Sequence, residues 1–242
     1  MKFVALVSGG KDSVYSIQLL KSQGHTPVGL LYMYTEDEYV DSYMYQTVGS
    51  EIVKVLGKCL ELPLFEYKTK CLTINKDLDY IKIQDDEVED LYNALSEIRN
   101  KIDFEGVSSG AILSRYQKNR VENVSRRLGL ISLAPLWHRN QKDLLGEMIN
   151  SGIKAVLVKV ASSFLDRSWL GKDIRFVYDL NTGLDDNYCG EGGEYETVVL
   201  DCDIFKYRIE FKESSIHCHP DETLENATVF FMRFGDIYLE NK

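Results

Sequence analysis

The sequence predicts an α/β fold, a helix-flanked parallel sheet in the first half followed by a smaller α+β half. Three observations carry this. Short apolar runs alternate with amphipathic helical patterns up to Leu128, a glycine-rich turn follows the first run, and beyond Gly129 the rhythm gives way to short β-rich runs. Taken in order, Phe3–Ser8 reads as a buried strand, and Val14, Ile17 and Leu20 recur at helical spacing until Gly24 ends that helix. Val28–Tyr32 is a second strand. From Gln46, the positions Val48, Ile52, Val55, Leu56 and Cys59 mark an amphipathic helix. Leu64–Tyr67 is a third strand, Asp85–Arg99 a helix, Phe104–Ser108 a fourth strand and Arg115–Leu128 a fourth helix. Such β-α repetition argues for a parallel sheet covered by helices. In the second half Gln141–Asn150 reads as a helix and Ile153–Val160 as a strand, with further strand-like runs at Val198–Leu200, Tyr207–Phe211 and Val229–Phe231. The expected domains are therefore residues 1–129 and 130–242, without a linker or repeat between them.

Length and charge bound the function. The 242 residues suffice for one to two domains. With 28 Lys+Arg against 38 Asp+Glu the net charge is −10, which disfavours broad nucleic-acid binding, so no tRNA or DNA partner is expected. No run approaches the roughly 18–20 apolar residues of a membrane span, and no signal-peptide pattern opens the chain. The cysteines Cys59, Cys71, Cys189, Cys202 and Cys218 are odd in number and form no CxxC. Neither a disulfide framework nor a cysteine zinc site is expected, and the natural compartment is a reducing cytoplasm. His217-Cys218-His219 looks like a metal tract, but neighbours on a strand alternate faces, so the expectation there is a surface loop.

Ser8-Gly9-Gly10-Lys11-Asp12-Ser13 follows the first strand and opens the first helix. Glycines let a backbone approach an anion closely, and a helix N-terminus supplies unpaired N–H groups and partial positive charge. Ser8 and Ser13 offer hydroxyls and Lys11 a cation. Asp12 would repel a bare phosphate unless it holds a divalent metal, for which Mg2+ is expected. A plain glycine turn with a Ser or Asp helix cap would look similar in part. Four further segments stand out. Gly106-Val107-Ser108-Ser109-Gly110-Ala111-Ile112 ends the fourth strand, at the sheet edge where ligands bind. Tyr116-Gln117-Lys118-Asn119-Arg120-Val121-Glu122 follows it. Asp86-Glu87-Val88-Glu89-Asp90-Leu91-Tyr92 precedes it, and Gly190-Glu191-Gly192-Gly193-Glu194-Tyr195-Glu196-Thr197 lies in the second half.

The hexapeptide is not a Walker A loop; it resembles the SGGxDS loop of the ATP pyrophosphatases, whose fold is of the adenine nucleotide alpha hydrolase (HUP) type. All the segments together, with Ser42-Tyr43-Met44-Tyr45-Gln46 and Val158-Lys159-Val160-Ala161, resemble the diphthine–ammonia ligase family from Met1 to about Phe205. Ser162-Ser163-Phe164 departs from that pattern where a glycine is expected. The resemblance implies a PP-loop ATP-binding domain followed by a family-specific substrate domain. It implies amidation, with ammonium, of diphthine carried on translation elongation factor 2, through an adenylated carboxylate, with AMP and pyrophosphate released. ATP and Mg2+ would meet Ser8, Gly9, Gly10, Lys11, Asp12, Ser13, Ser108 and Gly110.

The remaining candidates follow from residue chemistry beside that resemblance. Glu191, Glu194 and Glu196 place three carboxylates within six residues around Tyr195. Carboxylates and aromatic faces bind a quaternary ammonium, and a carboxylate can deprotonate ammonium. The three are catalytic candidates, together with Asp12. Gly193, Tyr195 and Thr197 are substrate candidates, as are Glu89, Tyr116 and Arg120. Ordinary structural readings stand beside them: an acidic turn for Glu191–Glu196, a solvated helix N-terminus for Asp85–Asp90, a basic outer face for Arg115, Lys118 and Arg120, and core packing for Tyr116. Another PP-loop ATP pyrophosphatase, such as a tRNA-modifying enzyme, and a non-catalytic nucleotide-binding module are the competing functions.

Overall fold

The computed structural model describes residues 1–36, 42, 44–180, 186–223 and 225–242. Tyr43, in the segment Ser42–Gln46, lies outside them. Among the described residues there are nine strands and six α-helices, and no helix is long and apolar enough to cross a membrane.

The first unit comprises Met1–Ser8, Asp12–Thr47 and Leu62–Trp137. Its sheet is five-stranded and all parallel, in the order β3-β2-β1-β4-β5. The strands are β1 (Lys2–Leu6), β2 (Thr26–Tyr34), β3 (Leu64–Lys68), β4 (Gly106–Ser108) and β5 (Ile131–Leu133). Phe3, Val4 and Ala5 of β1 are all fully buried, as a parallel strand covered on both faces requires. The helices are α1 (Lys11–Ser22), α3 (Glu87–Arg99) and α4 (Arg115–Arg127). Leu91, Leu95 and Ile98 of α3 join Val121 and Val124 of α4 against Val4, Leu31 and Val107 of the sheet. Strand order reverses at β1: β2 and β3 lie on one side, β4 and β5 on the other. The crevice beyond the carboxyl ends of β1 and β4 is thus the topological switch point, where open α/β sheets hold ligands. β5 has no counterpart in the expected element list, because Ile131-Ser132-Leu133 is too short to show a period.

The second unit comprises Gly9–Lys11, Val48–Glu61 and His138–Lys242. An antiparallel sheet runs in the order β7-β6-β9-β8, with β6 (Lys154–Val160), β7 (Tyr195–Asp201), β8 (Tyr207–Cys218) and β9 (Phe230–Asn241). The helices are α2 (Ser50–Leu60), which buries Ile52, Val53, Leu56 and Cys59, α5 (Gln141–Asn150) and the short α6 (Ile174–Tyr178). The expected strands are present: β6 begins one residue later than expected, and β7, β8 and β9 are longer. β8 and β9 pair over their whole length, from Tyr207 opposite Asn241 to Cys218 opposite Phe230. Much of β8 is exposed, so backbone pairing extends it where no apolar pattern does. This also corrects the expectation of a loop at His217–His219: His217 and Cys218 end β8, with His217 stacked on Phe231 at 5.5 Å between ring centroids and 2.8 Å from the Ser215 hydroxyl.

Candidate active site

The glycine loop Ser8–Ser13 grows directly from β1. Gly9 sits at φ +82°, a left-handed conformation that a side chain would strain. A Cβ there would also come within 3.1 Å of Val53. Ser13 accepts the Ser8 N–H through its hydroxyl at 3.4 Å, and the Ser16 hydroxyl donates to the Asp12 and Ser109 carbonyls at 2.8 and 3.3 Å. The loop after β4 lies against the start of α1. A Cβ on Gly110 would stand 2.9 Å from both the Asp12 carbonyl carbon and the Ser13 nitrogen. Asp12, Ser13, Ser109 and Gly110 therefore meet at the switch point, and Ser108 ends β4 fully buried beneath them.

Within the second unit, Gly9 and Lys11 are tied to β7. The Val199 N–H donates to the Gly9 carbonyl at 2.9 Å, and the Lys11 N–H donates to Thr197 Oγ1 at 3.1 Å. The Lys11 ammonium is 2% exposed; it donates to the Cys189 carbonyl at 2.5 Å and stands 4.9 Å from the centre of the Tyr195 ring. The acidic octapeptide is thus wrapped around the loop's lysine. Its turn is built by Gly190 and Gly193 at φ +78° and +85°, and by Glu194, which accepts from the Gly192 N–H at 2.9 Å and the Asn187 amide at 3.0 Å. Glu196 pairs with Lys159 at 3.2 Å. Three residues outside the sequence candidates hold this turn. Gln141 accepts the Cys189 N–H at 2.8 Å and donates to Asn187 at 3.1 Å, so Gln141, Asn187 and Cys189 form its frame. The only sequence cue was that Gln141 starts a helix.

The acid run at the start of α3 differs from expectation. Asp85 is exposed and Asp90 half-buried, but Asp86 and Glu87 are 0% exposed and Glu89 9%. Their carboxylates hold residues 69–86, a stretch without helix or strand. Asp86 accepts the N–H groups of Ile74, Asn75 and Val88 at 2.9–3.0 Å. Glu87 accepts the hydroxyls of Ser42 at 2.8 Å and Thr73 at 2.7 Å, and Asp90 that of Thr69 at 2.7 Å. Burial pushes the Glu87 carboxyl up, against the pull of the Thr73 and Ser42 hydrogen bonds. Glu89 takes a two-pronged pair from Arg127 at 2.7 Å on each oxygen and a hydrogen bond from Tyr80 at 3.0 Å. Burial alone would raise its carboxyl, but these bonds outweigh it and hold Glu89 below the usual range.

Arg120 is not on an outer basic face. It is fully buried, stacks 3.2 Å from the centre of the Tyr116 ring, and donates to the carbonyls of Asn75 at 2.6 Å and Asp77 at 3.0 Å. The Tyr116 hydroxyl reaches the same Asn75 carbonyl at 3.3 Å. The structure thus brings Asp12, Ser13 and Gly110 together, and separately Lys11, Gly193, Glu194, Tyr195, Glu196 and Thr197. It sets Glu89, Tyr116 and Arg120 around residues 69–86.

Comparison with known proteins gives a coherent result. Residues 1–132 match the diphthamide synthase N-terminal domain and residues 140–227 the diphthamide synthase C-terminal domain. A Schizosaccharomyces pombe protein named diphthine–ammonia ligase is 45% identical over 226 residues, covering 90% of this chain and 37% of that protein. Proteins of the same name from Bos taurus and Homo sapiens are each 42% identical over 252 residues, covering 100% of this chain and 94% of theirs. The chain thus spans little more than a third of the fungal relative and nearly all of the mammalian ones.

Proposed function

The chain belongs to the diphthamide synthase family, and on that premise we propose that it is an ATP-dependent diphthine–ammonia ligase working in the cytoplasm. Its substrates in this reading are ATP, ammonium and the diphthine side chain of translation elongation factor 2. A diphthine carboxylate oxygen attacks the α-phosphorus of ATP, the bond to the bridging oxygen breaks, and pyrophosphate leaves. Ammonia then attacks the acyl adenylate, AMP departs with the C–O bond, and the amide remains. Activation is required because hydroxide is a poor leaving group.

The observation that carries this reading is the union of the glycine loop with the acidic octapeptide through Lys11, Thr197 and Cys189. The N-terminus of α1, with Gly9, Gly10 and the hydroxyls of Ser8 and Ser13, supplies donors for the departing pyrophosphate. Gly110 packs on the start of α1 with Ser108 buried beneath it, so both support the loop's anion-binding end from below. Lys11 exchanges its Cys189 partner for phosphate oxygens as charge develops. Mg2+, when bound, would neutralise that charge. Magnesium needs only one or two carboxylates beside the phosphates of its nucleotide. Asp12 at the loop fits that role, whereas no group of three or more acidic, histidine or cysteine side chains among the described residues forms a protein cage. Glu191 takes a proton from ammonium to release the ammonia that attacks, Glu194 shapes the turn, and Glu196 with Lys159 fixes the start of β7. Tyr195 is 2% exposed with Lys11 over its ring, so that ring holds the loop rather than the trimethylammonium group, whereas Gly193 leaves the backbone open to that group.

The test is incubation with ATP, magnesium, ammonium and diphthine-bearing elongation factor 2. AMP formed in step with a carboxylate-to-amide mass change is the expected result. ADP, or AMP formed independently of the factor, would refute the reading.

A further inference from the structure

Residues 69–86 pose a physical puzzle. The segment leaves β3 at the carboxyl edge of the parallel sheet, the edge at which the loops after β1 and β4 also emerge. Its alternate residues divide. Thr69, Cys71 and Asn75 turn inward and are buried, with Thr73 bonded to Glu87, while Lys70, Leu72, Ile74 and Lys76 face outward. Asp86, Glu87 and Arg120, all 0% exposed, are committed to holding it, and burying such groups carries a large desolvation cost. Yet the segment so fixed keeps large apolar side chains in water: Leu72 is 46% exposed, Ile74 47%, Leu78 52% and Ile81 71%. Scattered exposed apolar residues need no explanation, but a cluster on one rigidly anchored strap does. Fixing the backbone beforehand lowers the ordering cost of binding, so the arrangement suits a surface made to meet a partner.

We propose that this strap is the docking surface for the folded protein that carries the side chain to be amidated. This rests on the function proposed above. Three features select that occupant. Tyr116 and Arg120 of α4 hold Asn75, and α4 starts just after the β4 loop that faces Asp12, so the strap is continuous with the nucleotide edge. The exposed charges on it are mixed, with Lys70, Lys76 and Lys82 beside Asp77 and Asp79, which favours neither a nucleic acid nor an anionic membrane. Finally, the four apolar side chains present on the order of 400 Å², about half of the ~800 Å² each partner gives to a stable interface. That suits a substrate that must leave after each turnover better than a permanent second copy of the chain.

The experiment compares steady-state amidation by the full chain and by the double variant Leu78→Ser with Ile81→Ser. The expected result is a KM for diphthine-bearing elongation factor raised ten-fold or more, with kcat within two-fold and the KM for ATP unchanged. A second double variant, Leu72→Ser with Ile74→Ser, should act likewise, whereas Phe164→Ser with Phe176→Ser, exposed apolar residues elsewhere, should change nothing. An unchanged KM in both strap variants overturns the proposal. So does sedimentation showing a wild-type dimer that the strap variants dissociate without a change in KM. If the wild-type chain itself fails to amidate the factor, the proposed function falls and the docking role falls with it, an outcome distinct from a strap that is merely silent.

Discussion

Replacing Gly110 by alanine puts a methyl group where two backbone atoms already stand. The added Cβ would lie 2.9 Å from the Asp12 carbonyl carbon and 2.9 Å from the Ser13 nitrogen, and 3.1 Å from the Asp12 Cβ. Ordinary contacts begin near 3.4 Å, so one of the two loops must move by about half an ångström, and neither obstacle is the end of a flexible side chain. Forced overpacking of this kind costs about 1–3 kcal/mol. For chains of this length each kcal/mol lowers Tm by roughly 2–4 °C, so a fall of about 4–8 °C is expected for a cost near 2 kcal/mol. The displaced atoms belong to the start of α1 in the glycine loop, so on the proposed function the variant should also raise the KM for ATP at least ten-fold. Gly24→Ala is the control: Gly24 has φ +84° but nothing within 4 Å of a new Cβ. It should lose about 1–2 kcal/mol through left-handed strain while keeping the wild-type KM for ATP. Thermal unfolding with and without ATP, beside steady-state kinetics, reads both quantities. A Gly110→Ala protein with unchanged Tm and unchanged KM would refute the argument that the β4 loop is packed on the anion site.

Three further outcomes follow from the buried groups. Glu89 is held below its ordinary pKa, so its contribution to stability is present above the unfolded-state value near 4.5 and is lost as pH falls through the lower folded value. Denaturant titrations from pH 6 to pH 3 should show a steep acid limb that Glu89→Gln flattens. Glu87 has the opposite sign, because its raised pKa makes the folded state weaker as pH climbs past the unfolded value. Glu87→Gln keeps an acceptor for Ser42 or Thr73 and should be neutral or stabilising at pH 7, whereas Glu87→Leu, which strands both hydroxyls, should be destabilising by about 1–3 kcal/mol. Burial pushes the thiols of Cys59 and Cys202 up to about 12 and that of Cys71 up to about 11, so the partly exposed Cys218 should be the first to react with a thiol reagent at pH 8. Mass mapping that found Cys59 or Cys202 labelled first would contradict the packing described for them.

The first half of the fold was legible because its signals are local and repeated. β1 is a fully buried apolar run, the glycine loop follows it at once, and α4 shows its apolar positions at helical spacing. A parallel sheet needs helical crossovers, so finding strands and helices in alternation fixes much of the topology. The antiparallel half was only partly legible. β8 is exposed over five consecutive residues and owes its length to pairing with β9, which begins twelve residues beyond its end. No window of sequence contains that information. At the site the pattern is similar. Lys11 and Thr197 could each be picked out from their own motif, but the N–H bond between them spans 186 residues of sequence and belongs to neither motif. Gln141 was invisible for the same reason, since its role is defined by Cys189 and Asn187.

The acid run shows why the net charge of −10 has no single meaning. Aspartate and glutamate in the first turn of a helix suit its dipole whether the turn faces water or a neighbouring segment, so composition and position cannot separate the two cases. What separates them is the chain before the helix. A solvated turn needs no fixed neighbour, whereas Asp86, Glu87 and Asp90 each take hydrogen bonds from residues 69–75 or Ser42. These acids cannot also serve as an open attractor for cationic substrates, because their oxygens are shielded and occupied. On the proposed function the octapeptide is the other acidic segment that could steer cationic substrates, with Glu196 already matched by Lys159. The acids at the start of α3 thus build the strap from within, and on the proposed function only the carboxylates of the octapeptide are left to respond to ionic strength in substrate binding.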